Sequence, residues 1–178
     1  MKINKTNLKD CIIIEPEIHK DERGFFFESF RSDKFEEVTG IDYKFVQDNH
    51  SKSSFGVLRG LHFQIQNPQG KLVRVISGEV FDVAVDLRRD SSTYLESFSI
   101  LLSSENKKQL WVPPGFAHGF LVTSKTADFV YKCTSYYDPS DEGSIIWNDS
   151  DLNIKWPVEN PIVSPKDQNA KSIKDLKK

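Results

Sequence analysis

The chain has 178 residues with 24 basic and 26 acidic side chains, a formal net charge of −2. Charge is spread without a basic block or stripe, which excludes nucleic acid and an anionic membrane surface as partners. No apolar run approaches the ~18–20 residues that span a bilayer. The expectation is a cytoplasmic protein of one domain, residues 1–178, with a polar, solvated tail from about residue 168. The opening Met-Lys-Ile-Asn-Lys is followed by no apolar stretch of a leader. Cys11 and Cys133, the two cysteines, carry no metal or disulfide spacing and read as free thiols.

In chain order, the first conspicuous cluster is Asp21-Glu22-Arg23-Gly24-Phe25-Phe26-Phe27-Glu28, which composition alone allows to be a strand packing on the core. Ser32 is placed to cap a short helix from Asp33 to about Thr39, with Gly40 stopping it. Lys71–Ile76 and Glu79–Leu87 read as two strands joined in a hairpin at Ser77-Gly78. In the second, Phe81, Val83, Val85 and Leu87 fall on one face, and Val80, Asp82, Ala84 and Asp86 on the other. Further strands are expected at Phe98–Leu102, Gln109–Val112, Gly119–Thr123 and Asp128–Thr134, separated by turn-rich stretches. Many short strands with a few short helices give an all-β fold, a sandwich or barrel.

The four histidines divide into two kinds. His19 and His50 lie in polar, loop-like surroundings, whereas His62 and His118 sit in Leu-Arg-Gly-Leu-His-Phe-Gln and Pro-Pro-Gly-Phe-Ala-His-Gly-Phe. A lone His in an apolar segment is most often a satisfied core residue. A mononuclear metal site would ask for His-x-His followed by a carboxylate and a distant His, and Gln64 stands where the second His would be. No metal is expected.

The segments 21–30 (DERGFFFESF), 45–53 (FVQDNHSKS), 57–64 (VLRGLHFQ), 69–75 (QGKLVRV), 78–88, 106–120, 130–137 (VYKCTSYY), 139–149 and the late Ser164-Pro165-Lys166-Asp167 together resemble the dTDP-4-dehydrorhamnose 3,5-epimerases of the cupin superfamily. They run in order over nearly the whole chain. The resemblance implies a cupin-type jelly roll and a dTDP-linked 4-keto-6-deoxyhexose substrate. Its ketone acidifies both flanking carbons and serves as the electron sink, so no cofactor is required. It implies His62 as base, Asp167 as its partner, Tyr131 as proton donor and Lys71 opposite the enolate oxygen; Asp82 either orients Lys71 or is an ordinary inward acid with a hydrogen-bond partner. Arg23, Arg59, His118 and Lys166 match diphosphate ligands. Glu28, Gln47, Asp48, Asn49 and Glu142 match other nucleotide-sugar contacts, and Tyr137 matches the aromatic that stacks on thymine. Phe26 and Gln64 belong to a second tier. A homodimer is implied, with an N-terminal segment crossing to the partner. Rival readings are a single-carbon epimerase, an enzyme for another nucleotide sugar, and a non-catalytic binding module.

One conflict arises from the pattern itself. In an ideal strand Arg59 and His62 have opposite parity and face opposite sides. The resemblance puts both at the ligand, and Gly60 between them permits a bulge or bend that rotates one inward.

Overall fold

The computed structural model describes residues 1–176. Two antiparallel sheets face each other. The first runs in the order β1 (Lys2–Lys5), β2 (Ile12–Glu15), β10 (Gln109–Val112), β7 (Lys71–Ser77), β12 (Thr126–Cys133), β5 (Gln47–Ser54). The second runs β13 (Glu142–Ser144), β6 (Val57–Gln64), β11 (Phe116–Val122), β8 (Glu79–Asp86), β9 (Ser97–Ser103), with β14 (Ile162–Val163) parallel to β6. A separate hairpin pairs β3 (His19–Asp21) with β4 (Gly24–Phe26), and three short helices complete the fold: α1 (Ser32–Thr39), α2 (Pro165–Gln168) and α3 (Ile173–Leu176).

Apolar side chains fill three layers. Between the sheets, Val73, Val75, Leu110 and Phe129 meet Val80, Ala84, Phe120 and Val122. Outside the first sheet, Leu72 and Trp111 pack on Phe35 of α1, with Phe30, Tyr43 and Phe45 around them. Outside the second sheet, Leu61, Val83, Val85 and Ala117 are covered by Ile145, Leu152 and Ile173. Strand β8 is therefore buried on both faces. The face that carries the aspartates is the one turned toward the other sheet, and Asp82 and Asp86 are both fully buried.

Four expectations change. The strands flanking Ser77-Gly78 form no hairpin: β7 belongs to the first sheet and β8 to the second. Gly78, at φ +78°, turns a corner so tight that a Cβ there would meet the Thr126 carbonyl oxygen at 2.0 Å. The helix boundary residue is Arg31, not Ser32, and no side chain caps it, whereas Gly40 stops the helix in the left-handed conformation as expected. His19 and His50 lie in strands, both exposed, rather than in loops. Finally, residues 168–176 dock on the fold where a polar tail is expected, and the last two residues of that tail lie outside the described residues. Ile173 is buried beneath the second sheet, its backbone N–H donates to Asp149 Oδ2 at 2.8 Å, and Lys171 bridges to Ile145. Cys11 and Cys133 are free and buried.

Candidate active site

Strand β6 is built around an irregularity. His62 pairs with His118 of β11 and Arg59 with Phe120, so three steps on β6 match two on β11. The extra residue resolves the parity conflict, and Arg59 and His62 line one cavity. Gly60 (φ +130°) allows the approach: a Cβ at this position would lie 2.5 Å from Gly119 Cα and 2.9 Å from the His118 carbonyl oxygen. The Gly60–Leu61 peptide is cis.

The cavity has a volume of about 430 Å³ and lies between the sheets, within the range of small-molecule sites. His62, Arg59 and His118 reach it from the second sheet, Lys71 and Tyr131 from the first, and Lys166 and Asp167 from α2. His62 Nε2 is 2.6 Å from Asp167 Oδ1. Asp167 is held in place by its own backbone N–H donating to Ser164 Oγ, and its Oδ2 accepts from the Gly60 N–H at 3.4 Å. Burial works to raise the Asp167 carboxyl pKa, but the His62 hydrogen bond and charge outweigh it and the net shift is downward. The carboxylate is thus ionised beside the imidazole, whose Nδ1 is left free of it.

Glu142 stands on the Nδ1 side, its Oε1 4.0 Å from His62 Nδ1. Its Oε2 accepts from the Tyr137 hydroxyl at 2.6 Å and from the Lys166 ammonium. Across the cavity, burial pushes the Tyr131 phenol up to about 12, with Arg59 pulling the other way. The same burial lowers the Lys71 ammonium, opposed by Cys133, Glu142 and Asp82. Asp82 follows the second of its two expected readings, an inward acid with a hydrogen-bond partner, and that partner is His118 rather than Lys71. Both its oxygens lie 3.0 Å from His118 Nε2, because β8 and β11 are neighbours and place Asp82 next to His118 in the interior. His118, expected as a diphosphate ligand, is 7% exposed and stacks beside Phe129 at 6.1 Å.

The remaining expected residues divide by strand parity. Gln47 and Asn49 point inward from β5: Gln47 Oε1 accepts from the Tyr137 N–H, and Asn49 Nδ2 donates to Cys133 Sγ. Asp48, between them, points to the outer face and pairs with Lys132. Gln64 is buried and serves the backbone, donating to the Asn67 and Tyr136 carbonyls and accepting from the Asp138 N–H. It anchors the loop that carries Tyr137. Arg23, Phe26 and Glu28 do not reach the cavity of their own chain. Arg23 pairs with Asp21, Glu28 with Lys34 and Arg31, and Phe26 is 69% exposed on the β3–β4 hairpin. Ser51 and Ser53, not expected from the sequence, lie on the inward face of β5, where their spacing of two from Gln47 and Asn49 was the available signal. Ser53 Oγ accepts from Arg59 Nε at 3.1 Å.

Comparison with known proteins adds chemistry to this geometry. A family model described as dTDP-4-dehydrorhamnose 3,5-epimerase matches residues 5–175. A relative of that name from Salmonella typhimurium is 56% identical over 172 residues, covering 96% of this chain and 94% of the relative. Among solved structures, a dTDP-6-deoxy-D-glucose-3,5-epimerase from Legionella pneumophila in complex with dTDP-4-keto-L-rhamnose superposes with a TM-score of 0.94 at 55% identity, covering 97% of this chain and 93% of that one. A 3′-monoepimerase from Streptomyces bikiniensis in complex with dTDP-quinovose gives 0.91 at 32% identity, covering 97% and 88%.

Proposed function

The chain belongs to the dTDP-4-dehydrorhamnose 3,5-epimerase family, and from that premise we propose how its cavity carries out the family's reaction. It is an isomerase with a cupin-type jelly roll. It epimerises C3 and C5 of dTDP-4-dehydro-6-deoxy-D-glucose to give dTDP-4-dehydro-L-rhamnose, within dTDP-L-rhamnose synthesis. Both centres flank the C4 ketone, so loss of either proton gives an enolate that the substrate itself stabilises.

His62 Nδ1 removes the proton. Asp167, bonded to Nε2, fixes the tautomer that leaves the lone pair on Nδ1 and steadies the imidazolium that forms. Lys71 opposes the charge developing on the ketone oxygen. Tyr131 returns a proton from the other side. A phenol at about 12 is protonated throughout the neutral range, so it arrives as an acid, and Arg59 and Lys71 favour the phenolate it becomes. The observation that carries this reading is that His62, bonded to Asp167, and Tyr131 belong to opposite sheets and line one cavity. A sugar ring lying between them presents one face to each.

Arg59, Lys166 and His118 take the diphosphate, and Tyr137 stacks on thymine beside Gln47, Asn49 and Glu142. The protein works as a cytoplasmic homodimer without metal or organic cofactor. The exposed β3–β4 hairpin, with Phe25 and Phe26 58% and 69% exposed, reaches into a second copy and delivers Arg23, Phe26 and Glu28 there.

Turnover in heavy water is the test. Deuterium is expected at both C3 and C5, His62→Ala abolishes exchange at both, and Tyr131→Phe exchanges without inverting. Label confined to C3 points to the single-carbon reaction of the Streptomyces bikiniensis protein. Exchange undiminished in His62→Ala overturns the assignment of the base.

A further inference from the structure

The inward face of β5 carries four polar side chains at a spacing of two: Gln47, Asn49, Ser51 and Ser53. Three are engaged. Gln47 holds the Tyr137 N–H and Asn49 Oδ1, Asn49 holds Cys133 Sγ, and Ser53 holds Arg59. Ser51 is the exception. Its Oγ is closed off from solvent with no hydrogen-bond partner, and no other buried side-chain polar atom among the described residues is in that condition. Folded proteins leave few such groups unpaired, because a desolvated hydroxyl without a partner is unfavourable.

The place of this hydroxyl is informative. Ser51 lines the main cavity, next to Phe129 in strand register. Along β5 it lies midway between Asn49, whose register partner is Tyr131, and Ser53, which holds Arg59. A ligand extending from Arg59 to the His62–Tyr131 pair therefore passes Ser51. Rotation about its χ1 between staggered positions is enough to present Oγ to such a ligand.

We propose that Ser51 is a substrate-binding residue whose hydroxyl engages the C2 hydroxyl of the bound ketohexose. The assignment rests on the function proposed above, and follows from the order of groups along the sugar. C1 carries the diphosphate, which goes to Arg59. C3 and C5 react between His62 and Tyr131. C2 lies between the phosphorylated and the reacting carbons, and its hydroxyl is the polar group that arrives at mid-row. C2 is also a centre the reaction leaves alone, so a contact there persists through both inversions and holds the ring while its neighbours change hand.

The test compares Ser51→Ala with wild type on the dTDP-ketosugar and on its 2-deoxy analogue, alongside direct binding of dTDP and thermal melts. Losing one neutral hydrogen bond to substrate lowers kcat/KM roughly 3- to 15-fold. That loss is expected on the ketosugar and is expected to vanish on the analogue. Affinity for dTDP stays the same, and Tm is no lower than wild type because alanine removes an unpaired group. A purely structural hydroxyl gives the opposite pattern, a lower Tm with unchanged kinetics, and overturns the proposal. So does an equal penalty on both sugars, or a loss of dTDP affinity. Wild-type turnover in the same series separately tests the reading on which the proposal stands.

Discussion

Asp167→Asn separates what the carboxylate contributes to the base from what it contributes to packing. The pair is short, 2.6 Å, and the Asp167 side chain is 4% exposed, so the hydrogen bond is charge-assisted and shielded. Losing the charge costs about 1.5–3 kcal/mol of imidazolium stabilisation. A second effect follows from the other carboxylate oxygen. The Gly60 N–H points at Oδ2 and requires an acceptor there, so the asparagine turns its carbonyl to Gly60 and its NH2 to His62 Nε2. The ring must then accept at Nε2 and carry its proton on Nδ1, where the base needs a lone pair. Recovering the productive tautomer breaks these bonds at a further cost of about 1–3 kcal/mol. Together the two amount to roughly 10²- to 10⁴-fold in kcat. The assay is deuterium incorporation at C3 and C5 in heavy water, with dTDP affinity as the control for an intact nucleotide site. Wild-type Asp167 has a lowered carboxyl pKa, so its stabilising contribution is present above the ordinary carboxylate range and is lost as pH falls below it. Melts at neutral pH should therefore show the variant less stable, and the gap should narrow in acid. An Asp167→Asn enzyme that retains more than a third of wild-type turnover at both carbons would refute the role given to Asp167.

Gly60→Ala places a methyl 2.5 Å from Gly119 Cα at φ +130°, and overpacking plus backbone strain destabilise by about 2–6 kcal/mol; denaturant melts are expected to show this with activity lost. Tyr137→Ala removes one base-stacking contact worth roughly 1–3 kcal/mol, so dTDP should bind about 5- to 150-fold more weakly in calorimetry while kcat changes little. Asp86 is fully buried against Arg88, Ser91 and Thr93. Burial raises its pKa, these hydrogen bonds more than reverse that, and it stands at about 2. Its contribution is therefore complete above the unfolded value near 3.8 and lost as pH falls through 2, and Asp86→Asn should lower Tm at pH 7 but hardly at pH 2. Dialysis against a strong chelator is expected to leave turnover unchanged, and activity restored by one divalent metal after a loss would overturn the metal-free reading.

Local pattern disclosed part of the site, though it misplaced the helix cap at Ser32 and put His19 and His50 in loops. Strand parity exposed the conflict between Arg59 and His62, and Gly60 told where the chain resolves it. The same parity separates Asp48 from Gln47 and Asn49, a distinction that a matched motif passes over. What stayed hidden depends on tertiary arrangement. Two strands flanking Ser77-Gly78 look alike whether the chain folds back in one sheet or crosses to another. Asp82 took His118 as partner because of strand neighbours that no linear pattern gives. Ile173 and Leu176, three apart among lysines, were too little apolar signal to show that residues near 170 dock on the barrel. Arg23, Phe26 and Glu28 carry motif signals, yet none of them lines the cavity of its own chain.

The base and its partner carboxylate stand 105 positions apart, with β6 paired into the sheet and Asp167 on a one-turn helix held by Ser164 and by the docking of α3. During synthesis His62 emerges long before the residue that fixes its tautomer. A chain that stops before Ser164 lacks both Asp167, the hydrogen-bond partner of His62, and Lys166, a cation at the same cavity. The His62–Asp167 contact thus forms only once the segment from Ser164 onward has docked on β6.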